Sequence, residues 1–76
     1  MGKMKKMVDI KIKFVGGFRK SEESLQVEKN ITYFRLLEML NINPETVVIV
    51  KDGLPVPTDD IVKEGEITVI RVISGG

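Results

Sequence analysis

The 76-residue sequence predicts an α+β fold, a mixed sheet of four to five strands with one helix packed on one of its faces. Two observations predict it. A period-two alternation at the start and β-branched runs at the end call for strands. Between them a stripe of apolar residues at intervals of three and four calls for a helix.

Val8, Ile10, Ile12 and Phe14 alternate with Asp9, Lys11 and Lys13, which puts one face of a strand in a core and the other in water. Gly16-Gly17 supplies backbone freedom for a tight reversal, and Phe18 to Glu28 returns as a weaker strand through Leu25 and Val27, completing a hairpin. The period changes after Asn30. Tyr33, Leu36, Leu37 and Leu40 form one helical stripe, with Thr32 or Asn30 as the N-cap. The helix is expected to stop near Asn41, because Pro44 lacks an amide hydrogen and drives Asn43 out of the helical region.

Thr46 to Val50 is a β-branched run without polar alternation. It predicts a mid-sheet strand covered on both faces or packed under the helix. Asp52-Gly53 marks a turn, and Pro55 and Pro57 confine Val56 to an edge or an irregular crossing. Lys63-Glu64-Gly65-Glu66 marks another turn. Ile67 to Ile73 is the last strand, and Ser74-Gly75-Gly76 follows it. The expected organisation is a single domain over residues 1–76, with 74–76 as a flexible tail.

Composition narrows the function. There is no cysteine and no histidine, which removes thiolate nucleophiles, disulfides, the usual zinc ligands and the commonest general base near neutral pH. So short a chain rarely encloses a cleft, so a carrier or binding role is expected in place of catalysis. No cofactor and no metal site is expected. Twelve basic against eleven acidic residues leave a net charge of +1, too little for a global attraction to nucleic acid or anionic membrane. The longest aliphatic run, Val47 to Val50, is far short of the ~20 residues of a spanning helix, and the start lacks the apolar stretch of a signal peptide. A cytoplasmic monomer is expected.

Ser74-Gly75-Gly76 carries the chemistry. Two glycines after a strand make a side-chain-free segment able to thread a narrow channel. A terminal carboxylate, ionised at neutral pH, can attack an activated phosphorus but is a poor acyl donor until adenylated. A diglycine taken alone is more often a frayed end or a processing scar. The strand order in front of it shifts that balance.

The sequence resembles the ubiquitin-like β-grasp sulfur carriers and modifiers related to ThiS, MoaD and the archaeal small modifier proteins. The residues that carry the resemblance are Val47-Val48-Ile49-Val50-Lys51-Asp52-Gly53, Pro55-Val56-Pro57, Lys63-Glu64-Gly65-Glu66-Ile67 and Arg71-Val72-Ile73-Ser74-Gly75-Gly76. The N-terminal half matches in pattern. The resemblance implies the β-grasp fold and adenylation of Gly76 by a ubiquitin-activating-type enzyme that uses ATP. A thiocarboxylate would follow, made with a sulfur donor and passed to an acceptor enzyme, or else an isopeptide bond to a target-protein lysine. Ubiquitin carries basic residues just before its diglycine, whereas Val72-Ile73-Ser74 stands here, closer to the carrier and archaeal types. The alternative class is a β-grasp interaction module that never reacts.

Ile70, Val72 and Ile73 are candidates for docking the activating enzyme through an outer face of the last strand, against the plain expectation that they close the core. Lys3, Lys5, Lys6, Lys11 and Lys13 form a basic stretch without interleaved aromatic rings, so a solvated strand face accounts for it better than nucleic-acid binding. Asp59-Asp60 and Glu22-Glu23 have no supporting ligands, and capping or solubility suffices for them.

Overall fold

The computed structural model describes residues 6–72. Strands β1 (Met7–Val15) and β2 (Glu22–Glu28) come first, then helix α1 (Tyr33–Met39) and a single 3-10 turn (Pro44–Thr46). Strands β3 (Val47–Lys51), β4 (Leu54–Val56) and β5 (Gly65–Arg71) complete the order. All five strands join one sheet in the order β2-β1-β5-β3-β4, with β1 parallel to β5 and the other neighbours antiparallel. This is the expected mixed sheet, at the upper end of the expected strand count.

One face of the sheet holds the core. Alternation turns Ile10 and Ile12 of β1, Val27 of β2, Ile49 of β3, and Ile67 and Val69 of β5 towards the helix, and all of them are buried. From α1, Tyr33, Leu36 and Leu37 cover them. Each such side chain contributes about 1.5–3 kcal/mol on removal from water. Tyr33 is 1% exposed, and its hydroxyl accepts a long 3.5 Å hydrogen bond from the Lys63 amide, which ties the segment before β5 to the helix.

The helix is closed at both ends by identifiable bonds. Thr32 is the N-cap, its Oγ1 accepting from the Arg35 amide at 3.1 Å, while the carbonyls of Asp60 and Thr58 take the amides of Tyr33 and Phe34. The first amides of the helix are therefore satisfied by the chain between β4 and β5. Asn30 does not cap; with φ 77 it turns the chain after β2. Asp59 and Asp60 are exposed, and Asp60 serves the helix through its backbone.

Several expectations need correction. The helix ends at the expected place but for a different reason: Asn41 adopts φ 60, its amide bonds the Glu38 carbonyl and the Ile42 amide bonds the Leu37 carbonyl. That pair of bonds is a Schellman closure, completed before Pro44 is reached. Strand β2 begins at Glu22, not Phe18, because Gly16 and Gly17 both take positive φ and Phe18 folds back towards Phe14, ring centroids 5.1 Å apart. Strand β3 is interior, between β5 and β4, and of the two expected arrangements it takes the one packed under the helix, covered on one face only. A single helix cannot cover both, and Val48 is left 38% exposed. The Asp52-Gly53 signal is a two-residue hairpin between Lys51 and Leu54 with both φ values positive (54 and 78), the type I′ geometry that matches strand twist. Proline-bearing β4 takes the edge, as expected. The last strand runs from Gly65 to Arg71, so Val72 lies just beyond it, and Ile73 falls outside the described residues.

Candidate functional site

Strand β5 is the central strand, flanked by β1 and β3, so the chain leaves the sheet from its middle. Its departure is held by one bond. The Val72 amide donates to the Thr46 carbonyl at 2.8 Å. Thr46 is in turn fixed by the 3-10 turn: its amide and its Oγ1 both reach the Asn43 carbonyl, at 3.0 and 2.7 Å, and Asn43 Oδ1 accepts from the Glu45 amide at 2.9 Å. Pro44, without an amide to satisfy, suits the first position of that turn. The last described residue of the chain is thus anchored to a hydrogen-bonded corner.

The face of the sheet away from the helix carries an apolar row at this exit. Ile70 pairs with Val15 on one side and with Val48 on the other. Because Val69 points to the core, Ile70 points the opposite way and is half-buried among its neighbours instead of closing the core. Val15 is 50% exposed and Val72 is 56% exposed. Of the three docking candidates, Ile70 and Val72 thus lie at the surface and not in the core, and Ile73 lies outside the described residues. Sequence reasoning missed Val15 and Val48. Each sits at the outward parity of its strand, but parity becomes a shared row only when the β1–β5 and β3–β5 registers are known.

Towards the far end of the same face the sheet is charged and internally paired. Lys13 reaches Glu66 at 3.1 Å and Lys11 reaches Glu22 at 3.6 Å, so part of the basic stretch is neutralised across strands. Lys3 and Lys5 lie outside the described residues. On the helix side, Arg71 lays its guanidinium 4.3 Å from the centroid of the Phe18 ring, and the backbone at Gly16 approaches Arg71 closely. A Cβ on Gly16 would stand 2.9 Å from Arg71 Cβ. Among the described residues no group of three or more carboxylate, cysteine or histidine side chains could hold a metal ion. No helix among them is long and apolar enough to cross a membrane. Ser74, Gly75 and Gly76 lie outside the described residues.

Residues 8–73 match the family model described as small archaeal modifier protein 2. The chain belongs to that family. It is 36% identical over 50 residues to the small archaeal modifier protein 2 of Haloferax volcanii, covering 66% of this chain and 76% of that protein. It is 55% identical over 67 residues to an uncharacterized protein of Archaeoglobus fulgidus, covering 88% of this chain and 97% of that one. Two solved structures share the fold. The ubiquitin of Caldiarchaeum subterraneum superposes with a TM-score of 0.69 at 22% identity, over 93% of this chain and 100% of its own. The UBL domain of Plasmodium falciparum Dsk2 gives 0.68 at 18%, over 87% and 99%. The sheet and helix are accordingly a β-grasp, and the protein is a ubiquitin-like modifier of the archaeal type. Membership of the small archaeal modifier family implies activating enzymes and target proteins as its general partners.

Proposed function

We propose that the reacting group of this small archaeal modifier is the carboxyl of Gly76. A carboxylate oxygen attacks the α-phosphorus of ATP in the site of a ubiquitin-activating-type enzyme, and pyrophosphate leaves. The acyl adenylate is then attacked at its carbonyl carbon and AMP leaves. With a sulfur nucleophile the product is a thiocarboxylate; with a target-protein lysine it is an isopeptide. Gly75 and Ser74 present little bulk to a channel leading to the nucleotide, and the reaction takes place in the cytoplasm. The domain itself supplies no catalytic group.

One observation carries this reading: the end of the central strand is anchored by the Val72–Thr46 hydrogen bond, directly beside the outward-facing apolar row of Val15, Ile70 and Val48. An anchored exit gives the following residues a fixed starting point, and an apolar row next to it offers an enzyme a surface to grip while it works on Gly76. Ile70 and Val72, with Ile73, are the proposed docking residues.

The test is mass spectrometry of protein from its own cells. In the carrier form a fraction of the intact protein has one sulfur in place of one oxygen, and alkylation moves that fraction. In the modifier form, trypsin cleaves after Arg71 and leaves Val72-Ile73-Ser74-Gly75-Gly76 on lysines of other proteins. Absence of both products from cells that express a matching activating enzyme would overturn the proposal in favour of a non-reacting module.

A further inference from the structure

On the helix side of the sheet, the end of α1 and the connection between β1 and β2 stand apart and leave an open groove of about 800 Å³. Its apolar part is made by Phe14 and Phe18 on one wall and by Met39 and Ile42 on the other. Met39 is 52% exposed, an unusual place for a long apolar side chain next to a stretch of open surface.

The charge along the groove is uneven. Arg19 and Arg71 both line it, and neither has a carboxylate partner among the described residues. By contrast Arg35, on the outer side of the helix, is paired with Glu38 at 3.3 Å. Glu23 also borders the groove, but its carboxylate is taken by Lys20 at 3.3 Å. The groove therefore offers unneutralised guanidinium groups beside apolar side chains. Arg71 is held by its contact over the Phe18 ring, its Cζ 4.3 Å from the ring centroid, a contact that takes up none of its N–H hydrogen-bonding capacity with a carboxylate of the described residues. A planar, pre-positioned guanidinium recognises a carboxylate by paired hydrogen bonds, and it loses less freedom in doing so than a mobile one.

We propose that this groove binds a short peptide segment of a partner protein in which acidic side chains stand beside aliphatic ones. A carboxylate of the segment pairs with Arg71 and is approached by Arg19, and aliphatic side chains cover Phe18, Met39 and Ile42. The apolar walls favour a peptide over a free inorganic anion, which would leave them wet. The site is on the opposite side of the sheet from the Val15, Ile70 and Val48 row, and it does not depend on whether Gly76 reacts.

The test uses the full chain labelled with ¹⁵N and a short synthetic peptide alternating aspartate with isoleucine, acetylated and amidated at its ends. The expected result is a set of amide shifts over residues 14–23, 39–42 and 71. The same peptide with asparagine for aspartate should bind about tenfold more weakly, as should the Arg19→Gln/Arg71→Gln double variant. Met39→Glu, at an exposed helical position, should weaken binding by a similar factor through repulsion while leaving the amide dispersion of Ile12 and Val69 intact. Equal binding of the asparagine peptide, unchanged affinity in both variants, shifts centred on Val15, Val48 and Ile70, or no shifts at millimolar peptide would each overturn the proposal. A chain ending at Val72 distinguishes the protein's own terminal carboxylate as the occupant. If that truncation moves the groove amides and tightens the peptide, the partner segment is not the natural ligand.

Discussion

The Val72 amide and the Thr46 carbonyl, 2.8 Å apart, join the end of the central strand to the 3-10 turn that precedes β3. One bond thus links the point where the chain leaves the sheet to a corner built from Asn43, Pro44 and Thr46. Its removal is a direct test of whether an anchored exit matters. Val72→Pro deletes the donor at a residue already outside the strand, and the expected loss is about 0.5–1.5 kcal/mol in urea unfolding. With a matching activating enzyme, KM for the modifier should rise while pyrophosphate exchange at saturation is retained. A variant with wild-type KM would show that anchoring the exit plays no part in recognition.

Gly16 and Gly17 should behave differently although they are neighbours with similar backbone angles. Gly16 has φ 106 and faces Arg71 at close range, whereas Gly17 has φ 91 and open space where a Cβ would go. Gly17→Ala carries backbone strain alone, of order 1 kcal/mol, while Gly16→Ala adds a clash with Arg71 and should cost on the order of 2–3 kcal/mol. Chemical denaturation of both variants gives the comparison. Equal losses would mean that Arg71 and the β5 backbone move aside freely.

The two faces of β5 predict opposite phenotypes. Val69→Ala removes buried methyl groups from a side chain with 0% exposure and should cost about 2 kcal/mol, with activation by the enzyme unchanged when measured below the melting temperature. Ile70→Thr keeps the β-branch on the outward face and should cost less than about 1 kcal/mol, yet raise KM for the activating enzyme about tenfold. If Ile70→Thr is activated normally, the apolar row is not the docking surface.

Asn41 closes the helix in a left-handed conformation, so the side chain at that position controls stability without touching the core. Asn41→Ala should lose about 1 kcal/mol and Asn41→Gly should lose nothing or gain slightly, since glycine reaches that region without a Cβ penalty. The ordering of the two melting temperatures decides it.

Removing Gly75 and Gly76 should abolish formation of the acyl adenylate and leave the unfolding free energy within about 0.5 kcal/mol of the full chain. A larger drop would assign the diglycine a structural role.

Much of the fold was legible because its elements are locally encoded. The alternation of Val8, Ile10, Ile12 and Phe14 and the stripe of Tyr33, Leu36, Leu37 and Leu40 each state which face is buried, and those faces meet in the core. Where the expectation was wrong or left two arrangements open, the deciding interaction was not local in periodicity. The run Val47 to Val50 is compatible with cover on both faces or with packing under the helix, and the helix decides it by lying on one face and leaving Val48 to solvent. Phe18 looks like the start of a strand, but it is turned back by two positive-φ glycines and held against Phe14 and Arg71.

The residues of the chain alone determined that there would be one helix between strands, a turn at Asp52-Gly53, an edge piece or irregular crossing where the prolines stand and no thiol or imidazole to do chemistry. Tertiary structure decided which residues share a surface. Val15, Ile70 and Val48 lie far apart along the chain and become one row because β1 pairs parallel and β3 antiparallel with the same strand. Arg71 reaches Phe18 for the same reason. Side-chain period tells a residue which way to face, but only the register of non-local pairing tells it what it will stand beside.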